Sequence, residues 1–288
     1  MDTIIYILIL RAINDENNKI IYKNKIIIYR NLHKINNIFL QYIMIEQKRI
    51  FLTFGGPTYN YRNRSKIVTE QAKKCNWFTD CIGLNDDFLR LSPFFATSHM
   101  EFLETNQRGY GFWLWKPYII KTFLDKLREG DVLVYADAGC TNNPTGSPRF
   151  NEYLNILDTN EDNYGIISFQ LNLSEIKYSK RLLLETIDAT EHMATSGQCI
   201  ATSIIIKKNS HSTAVIDKWW ELAEKYDLIN DVRMPHENLQ FIDHIHDQSI
   251  FSVLVKKYGS IKIPDETFFY PDWIKGYDYP IWATRHRN

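Results

Sequence analysis

The sequence predicts an α/β protein with a mixed, mostly parallel sheet flanked by helices. The first observation is a strand, a helix and a second strand in succession over residues 48–84, which is typical of a parallel sheet. The second is an apolar-faced helix that leads into the continuous apolar run 132–136, which indicates a strand covered on both faces. Since the sequence contains no internal repeat and no interdomain linker, we expect one domain over residues 48–288.

Residues 1–47 differ in composition from the rest, because Ile, Asn, Lys and Tyr dominate them. We expect a poorly structured or helical N-terminal extension there. The apolar run from Ile4 to Leu10 is too short to span a bilayer, so there is no firm membrane segment, although a short membrane-associated helix would also fit it. Met44 stands just before the first strand, and we hypothesise that the functional domain starts there.

The elements of the domain follow from hydrophobic period and from turn residues. Strands are predicted at 48–54, 78–84, 132–136, 164–170, 199–206 and 261–263. Helices are predicted at 66–75, from 117 up to the break at Gly130, and at 149–157, 180–187, 210–226 and 246–255. The stretches 140–146 and 231–240 are predicted as irregular.

The central stretch 109–140 contains the first site candidate. Pro117 suits the first position of a helix, and Gly130 stops that helix. The buried strand that follows ends at Asp137, where Ala138-Gly139 lets the backbone turn away. Since ligands of open α/β sheets bind at the carboxyl ends of strands, a carboxylate at this place is a candidate before any family is considered.

Composition and short motifs exclude several function classes. The 34 basic and 34 acidic residues give a formal net charge of +0, which argues against broad binding to nucleic acid or anionic lipid. The four cysteines form no C-x-x-C pair, so a reducing compartment such as the cytoplasm is expected. Gly55-Gly56 is neither a G-x-G-x-x-G nor a Walker A loop, so neither dinucleotide nor P-loop binding is supported.

Two stretches together resemble nucleotide-sugar glycosyltransferases of the GT-A fold. The strand that runs into Tyr135-Ala136-Asp137-Ala138-Gly139 is similar to the strand that delivers their D-x-D motif. Asp247-Gln248 at a helix start resembles the later D-Q element of glycogenin-like transferases. Together with residues 109–117, the pattern is also similar to predicted transferases of bacteria and large DNA viruses. The resemblance implies a single GT-A-like domain with a Rossmann-like N-terminal half, in the cytoplasm or, for a viral protein, in the host cytoplasm or the virion.

What the resemblance implies for function is transfer of a sugar from a nucleotide diphosphate sugar to a glycan or another hydroxyl acceptor. Asp137 fits contact with a metal ion or the ribose, and Lys116 fits contact with phosphate at the start of its helix. Asp247 and Gln248 fit contacts with the donor sugar or the acceptor, with Asp247 as base if the reaction inverts the anomeric centre. Trp115 fits stacking on the donor, although large aromatic side chains also belong to cores.

One position departs from the D-x-D pattern. Gly139 stands where such enzymes usually have a second carboxylate that binds the metal, so Asp137 is the one matched acid. A Mn²⁺ or Mg²⁺ ion would need further ligands. His286 is the candidate, because related transferases often place a metal-binding histidine late in the chain.

Other interpretations remain open. Asp137 could cap a turn, Lys116 could be a solvated lysine, and Asp247 could be an N-cap. The whole chain could be a carbohydrate-binding or structural protein with a degenerate transferase fold, which Gly139 favours. A sugar-phosphate nucleotidyltransferase is a further alternative, but the glycine-rich phosphate loop expected of it is not evident.

Overall fold

The structure, a computed structural model, describes residues 47–286 together with the backbone of 19–22 and 25–28. The chain divides into two compact units, residues 1–47 and 48–288. In the first unit, β1 (Lys19–Tyr22) pairs antiparallel with β2 (Lys25–Ile28). The run 4–10 and the start at Met44 lie outside the described residues. In the part of the chain that is described, no helix is both long and apolar enough to cross a bilayer.

The second unit is built on a seven-stranded sheet. In chain order, the strands of the second unit are β3 (Arg49–Phe54), β4 (Asp80–Leu84), β5 (Val132–Ala136), β6 (Thr141–Asn142), β7 (Ile166–Ser174), β8 (Gly197–Cys199), β9 (Ser203–Lys207), β10 (Ile261–Pro264) and β11 (Ile281–Trp282). The sheet order is β10-β7-β9-β5-β3-β4, with β8 paired to β7, while β6 and β11 pair with each other. Strand β9 is antiparallel to both of its neighbours, so β4, β3, β5, β7 and β10 all point one way.

Helices cover both faces of this sheet. They are α1 (Tyr59–Cys75), α2 (Asp86–Arg90), α3 (Pro93–Ser98), α4 (Met100–Thr105), α5 (Trp115–Asp125), α6 (Ser147–Thr159), α7 (Glu175–Tyr178), α8 (Arg181–Thr186), α9 (Glu191–Thr195), α10 (Ser210–Ala223), α11 (Tyr226–Ile229) and α12 (His246–Tyr258). The mixed α/β class with a mostly parallel sheet and flanking helices is confirmed.

Two apolar cores lie on opposite faces of the sheet, as the alternation of strand side chains requires. Leu133 and Tyr135 of β5 belong to the core that contains the buried sides of α5, α10 and α12. Val134 and Ala136 belong to the core that contains the buried sides of α1 and α6. Strand β5 is fully buried, so its end brings Asp137 out of the interior at a fixed place.

Helix α1 begins earlier than predicted, at Tyr59 rather than Lys66. The side chain of Thr58 caps it by accepting a hydrogen bond from the Tyr61 N–H at 3.5 Å, so the polar stretch that looked like a loop is helical. As a result Arg64 lies within the helix, and it is buried.

Helix α5 begins at Trp115, so Pro117 occupies its third position rather than its first. A proline is tolerated there because the first four N–H groups of a helix have no partner within it. The helix ends at Asp125, before the predicted stop at Gly130, whose φ of +88° turns the chain toward β5.

One other prediction about an element is wrong, and several short helices were missed. The predicted strand 199–206 is interrupted and forms β8 and β9, because the Ile200 N–H bonds to Phe169 O on β7 while Thr202 O bonds to the Asp137 N–H. The short helices α3, α4, α7, α9 and α11 were not predicted. Each has six residues or fewer, which is too short to show a helical period.

Candidate active site

Three charged side chains that are far apart in the sequence meet at the carboxyl end of β5. Lys116 lies in the first turn of α5, Asp137 follows β5, and Asp247 lies in the first turn of α12. The Lys116 Nζ is 3.1 Å from Asp137 Oδ1 and 2.7 Å from Asp247 Oδ2. The side chains of Lys116 and Asp247 are 3% and 5% exposed, and that of Asp137 is 28% exposed. A buried ammonium therefore lies between two carboxylates, and Asp137 is the member that reaches solvent.

The Lys116 ammonium also donates to the carbonyl of Ala201 at 3.2 Å. This hydrogen bond and the two ion pairs together hold the ammonium in place. Burial alone would lower the pKa of Lys116, but the two carboxylates outweigh it and hold the pKa above its usual value. The backbone N–H of Lys116 donates to the Trp113 carbonyl at 2.9 Å, so this N–H of the helix start is already used. Contact between Lys116 and phosphate stays a prediction.

Asp137 is oriented by Tyr135, two residues before it and therefore on the same side of the strand. The Tyr135 hydroxyl donates to Asp137 Oδ1 at 2.7 Å, and the same oxygen faces the Lys116 ammonium. Burial and the neighbouring carboxylate raise the pKa of Tyr135 well above its usual value, so the phenol stays protonated and remains a donor. These contacts leave Asp137 Oδ2 for a ligand.

The backbone of Asp247 is fixed at the start of α12, because the Trp219 indole N–H donates to the Asp247 carbonyl at 3.0 Å. Burial raises the pKa of the Asp247 carboxyl to about 6, although the Lys116 ammonium acts in the opposite direction. At neutral pH this carboxylate is mostly ionised and still basic enough to accept a proton.

The turn after β5 is held by a buried arginine. The Asp137 N–H donates to the Thr202 carbonyl at 2.9 Å, which ties the turn to the start of β9. The Arg64 guanidinium donates to the carbonyl oxygens of Ala138 at 3.3 Å and Cys140 at 3.0 Å. The backbone that carries Asp137 is thus bound on both sides and cannot swing freely.

The C-terminal segment packs on the same turn at Gly139. The Thr284 hydroxyl and the His286 N–H both donate to the Gly139 carbonyl, at 2.8 and 3.0 Å. A Cβ added at Gly139 would lie 3.2 Å from the His286 carbonyl oxygen, so the segment occupies the space that a side chain would need. The backbone of His286 therefore lies at Gly139, two residues after Asp137, and its role as a metal ligand stays a prediction. Within residues 47–286, no three His, Cys, Asp or Glu side chains are grouped to hold a metal ion.

A left-handed turn precedes Lys116. All five residues from Gly109 to Trp113 have positive φ, between +52° and +78°. Three of them, Tyr110, Phe112 and Trp113, are bulky residues that rarely adopt this conformation. The turn is kept by backbone hydrogen bonds such as that from the Gly111 N–H to Asn106 O at 2.7 Å. Strain of this kind persists only where the surroundings enforce it, and it concentrates at functional sites.

The rings of the left-handed turn pack against the other half of the site. Phe112 and Trp113 stack on the His246 imidazole with centroid distances of 4.9 and 5.5 Å. His246 directly precedes Asp247 and itself has a φ of +47°. Its Nδ1 lies 2.7 Å from the Ile229 carbonyl, and burial lowers the pKa of the imidazole to about 4, so the ring is neutral at pH 7. The segments that carry Lys116 and Asp247 are thereby fixed to each other.

Gln248 directly follows Asp247, and its amide is bound to the protein through both its oxygen and its nitrogen. Its Oε1 accepts from the Ala201 N–H at 3.3 Å, and its Nε2 donates to Gln198 Oε1 at 2.9 Å. Gln198 is buried and also donates to Glu175 Oε2 at 3.0 Å. Glu175 in turn forms a buried ion pair with Lys256 at 2.7 Å. A polar network in the interior thus orients Gln248, whose contact with substrate stays a prediction.

Trp115 is a core residue in this structure. Its ring stacks on Phe54 at 4.1 Å between centroids, and its indole N–H donates to the Gly109 carbonyl at 3.1 Å. Trp115 is 5% exposed. Direct binding of the donor by Trp115 is untested, and its observed contacts support the left-handed turn.

Three residues of the site were missed in the sequence. Tyr135 could have been found, because a hydroxyl two residues before Asp137 must share its face of the strand. Gln198 lies in a polar break that the sequence does show, but nothing in the spacing connects it to Gln248. Arg64 gives no signal at all, since one arginine in a polar stretch is ordinary.

No model of a protein family matches this chain, and no curated protein matches it. Among solved structures, the chain is similar to a glycosyltransferase involved in the glycosylation of the major capsid of PBCV-1, with 12% identity over 82% of this chain and 91% of the other, and a TM-score of 0.45. It is similar to mouse xyloside xylosyltransferase 1, with 10% identity, 82% and 97% coverage and a TM-score of 0.41. It is also similar to the galactosyltransferase LgtC, with 11% identity, 82% and 86% coverage and a TM-score of 0.40. With similarity at this level we draw no functional conclusion from these structures.

Proposed function

We propose that the domain is a glycosyltransferase that uses a nucleotide diphosphate sugar. The observation that carries the proposal is the meeting of Asp137 and Asp247 around Lys116. The two acids belong to the two motifs on which the sequence resemblance rests, and they meet at the carboxyl end of β5, where ligands of such sheets bind. The strain of the left-handed turn beside them agrees with a functional site.

In the proposed reaction, the bond between the anomeric carbon of the donor and a diphosphate oxygen breaks, and the acceptor oxygen bonds to that carbon. The nucleoside diphosphate leaves with the electron pair. Asp137 accepts hydrogen bonds from donor hydroxyl groups through Oδ2. Asp247 accepts the acceptor proton if the reaction inverts the anomeric centre, and a pKa of about 6 suits that role. Arg285 is exposed, its backbone lies at Gly139, and its guanidinium lies 4.8 Å from the centroid of the Phe268 ring, so it would reach the leaving diphosphate only by turning away from that ring.

The test is donor hydrolysis and donor binding across a panel of nucleotide sugars, with intact protein and with Asp137→Asn. We expect at least one donor to be turned over, and we expect the variant to lose about 100-fold or more, as happens when one such polar contact is removed from a reaction centre. Asp217→Asn is the matched control, because Asp217 is also paired with a lysine of α5 but is half exposed. A folded protein that neither binds nor turns over any donor would contradict the proposal.

A glycan-binding protein without catalysis is the second candidate. It is favoured by a run of exposed aromatic side chains near the C-terminus, with Phe268, Tyr270 and Tyr277 all exposed and the first two stacked. Aromatic faces of this kind pack well on sugar rings. Glycan binding with no measurable affinity for nucleoside diphosphates would favour this function over the transferase.

A further inference from the structure

The positive charge between Asp137 and Asp247 is the ammonium of Lys116, a side chain of the protein itself. The sequence resemblance implies a divalent ion at Asp137, but the Lys116 ammonium lies 3.1 Å from Asp137 and 2.7 Å from Asp247. The same ammonium donates to the Ala201 carbonyl at 3.2 Å, so it is tied to the backbone as well as paired with the two acids. A divalent ion on Asp137 would have to share that carboxylate with a buried positive charge, and the two cations would repel each other at that short distance.

The other ligands that a divalent ion needs do not fit. Mg²⁺ and ions like it take several oxygen ligands in near-ideal geometry. At Gly139 there is no carboxylate, and a side chain there would meet the C-terminal segment. His286 lies on that segment, where its backbone N–H donates to the Gly139 carbonyl at 3.0 Å and its side chain is exposed. Among the side chains that the structure describes, no three of His, Cys, Asp or Glu are grouped to supply the remaining ligands.

We infer that Lys116 replaces the divalent ion of this site and that the domain binds and turns over its donor without metal. The claim that donor turnover needs no metal rests on the proposed function. The claim that the ammonium keeps divalent ions out of the space between Asp137 and Asp247 concerns the free protein alone. Two oxygens that lie 3.1 and 2.7 Å from one nitrogen are at most 5.8 Å apart, so removal of the ammonium leaves two carboxylates close enough to bind an ion after a small rotation.

The first experiment uses the intact protein, freed of metal by a chelating resin. Binding of Mn²⁺ alone is followed by the loss of the electron paramagnetic resonance signal of the free ion, and donor turnover is measured with EDTA and with added Mn²⁺. We expect no stoichiometric Mn²⁺ binding and a turnover that changes less than twofold between the two conditions. Mn²⁺ binding that Asp137→Asn abolishes, or turnover that EDTA abolishes and Mn²⁺ restores, would overturn the inference.

The second experiment asks whether the ammonium is what excludes the ion. Lys116→Ala is expected to bind one Mn²⁺ at least tenfold more tightly than the unaltered protein, and the further change Asp247→Asn should remove that gain. Lys256→Ala is the control, since it removes an equally buried lysine that pairs with one carboxylate, Glu175, and it should gain nothing. A folded Lys116→Ala protein without the gain would overturn the inference. If Lys116→Ala does not fold, Lys116→Gln and the first experiment decide the question.

The two proposals fail separately. Absence of any donor binding or turnover, with and without Mn²⁺, would remove the glycosyltransferase and leave the Mn²⁺ measurements to decide on Lys116. Turnover that needs Mn²⁺ would remove the inference and support the glycosyltransferase.

Discussion

Helix α5 carries two lysines that make nearly the same contacts in different surroundings. The Lys116 Nζ lies 3.1 and 2.7 Å from two aspartates, and the Lys121 Nζ lies 3.1 Å from Asp125 and 2.5 Å from Asp217. The side chain of Lys116 is 3% exposed and that of Lys121 is 31% exposed. The contact distances alone do not tell a site from a surface ion pair.

Burial is what separates the two groups. Exposed ion pairs contribute about 0–1 kcal/mol, because water and salt screen them. A buried pair is costly to form, and removing one partner leaves a buried charge unpaired, which costs about 3–5 kcal/mol. The pKa of Asp247 near 6 has the same cause, since burial disfavours its ionised form. The buried charges around Lys116 can therefore have shifted pKa values that suit proton transfer, whereas the solvent-exposed charges around Lys121 are screened.

The largest difference is expected between Lys116→Met and Lys121→Met. The first should lower the free energy of unfolding by about 3–5 kcal/mol, because two carboxylates lose their shared cation in the interior. The second should lower it by less than about 1 kcal/mol. Urea unfolding of both variants at pH 7.5 measures this. Equal losses would show that burial does not separate the two lysines.

The second comparison concerns the glycines on either side of α5. At Gly109, with φ of +59°, an added Cβ would lie 2.2 Å from the Trp113 ring, whereas at Gly130, with φ of +88°, it would meet nothing within 4 Å. Gly130→Ala should cost about 1–2 kcal/mol, from backbone conformation alone. Gly109→Ala should cost about 1–3 kcal/mol more through crowding, and it should lower activity by displacing Lys116. Thermal unfolding and donor turnover test this. Equal effects of the two changes would show that the contacts around Gly109 do not hold the left-handed turn.

The third comparison uses pH. Because the folded pKa of Asp247 is raised to about 6, its ionised form is lost as the pH falls through 6, and activity should fall about tenfold per pH unit below that value. The sign for stability is opposite: a raised carboxyl pKa contributes stability that is present below the unfolded pKa and is lost as the pH rises through about 6. The loss of activity should thus come without unfolding, which circular dichroism at each pH checks. Lys121→Gln should leave the profile unmoved, and an acid limb that coincides with unfolding would contradict the assignment.

The smallest effect is expected for Asp217→Asn. The exposed group around Lys121 should lose less than about 0.5 kcal/mol, and the loss should vanish in 1 M NaCl, where the Debye length is about 3 Å. Urea unfolding at low and high salt measures it. A loss that salt does not change would mean that this pair is not the screened surface contact that its exposure indicates.

The sequence was most informative where one strand or helix decides the outcome. Asp137 follows a continuous apolar run, and Asp247-Gln248 opens a helix of clear period, so both places could be predicted from local patterns. The burial of Lys116 could not, because its two acids come from other parts of the chain and only the order of the strands brings them together. A lysine at a helix start looks the same in the sequence whether it is solvated or enclosed.

The strained backbone of the left-handed turn could not be predicted from the sequence either. Gly109 and Gly111 hint at a turn, but the positive φ of Phe112 and Trp113 opposes their local preference and depends on contacts with His246 far along the chain. Local rules fail at such a place because tertiary contacts outweigh them, and failures of this kind are expected at functional sites.

The hydrogen bond from Thr284 to Gly139 spans 145 residues of chain. Closing a loop of that length costs entropy, so contacts of this kind form late, whereas β3, β4 and β5 can pair over shorter stretches. During synthesis on the ribosome, the turn that carries Asp137 must wait for residues 284–286 to emerge. A nascent chain can thus complete the seven-stranded sheet before the site is finished, so that the proposed activity would appear after the bulk of the fold and not with it.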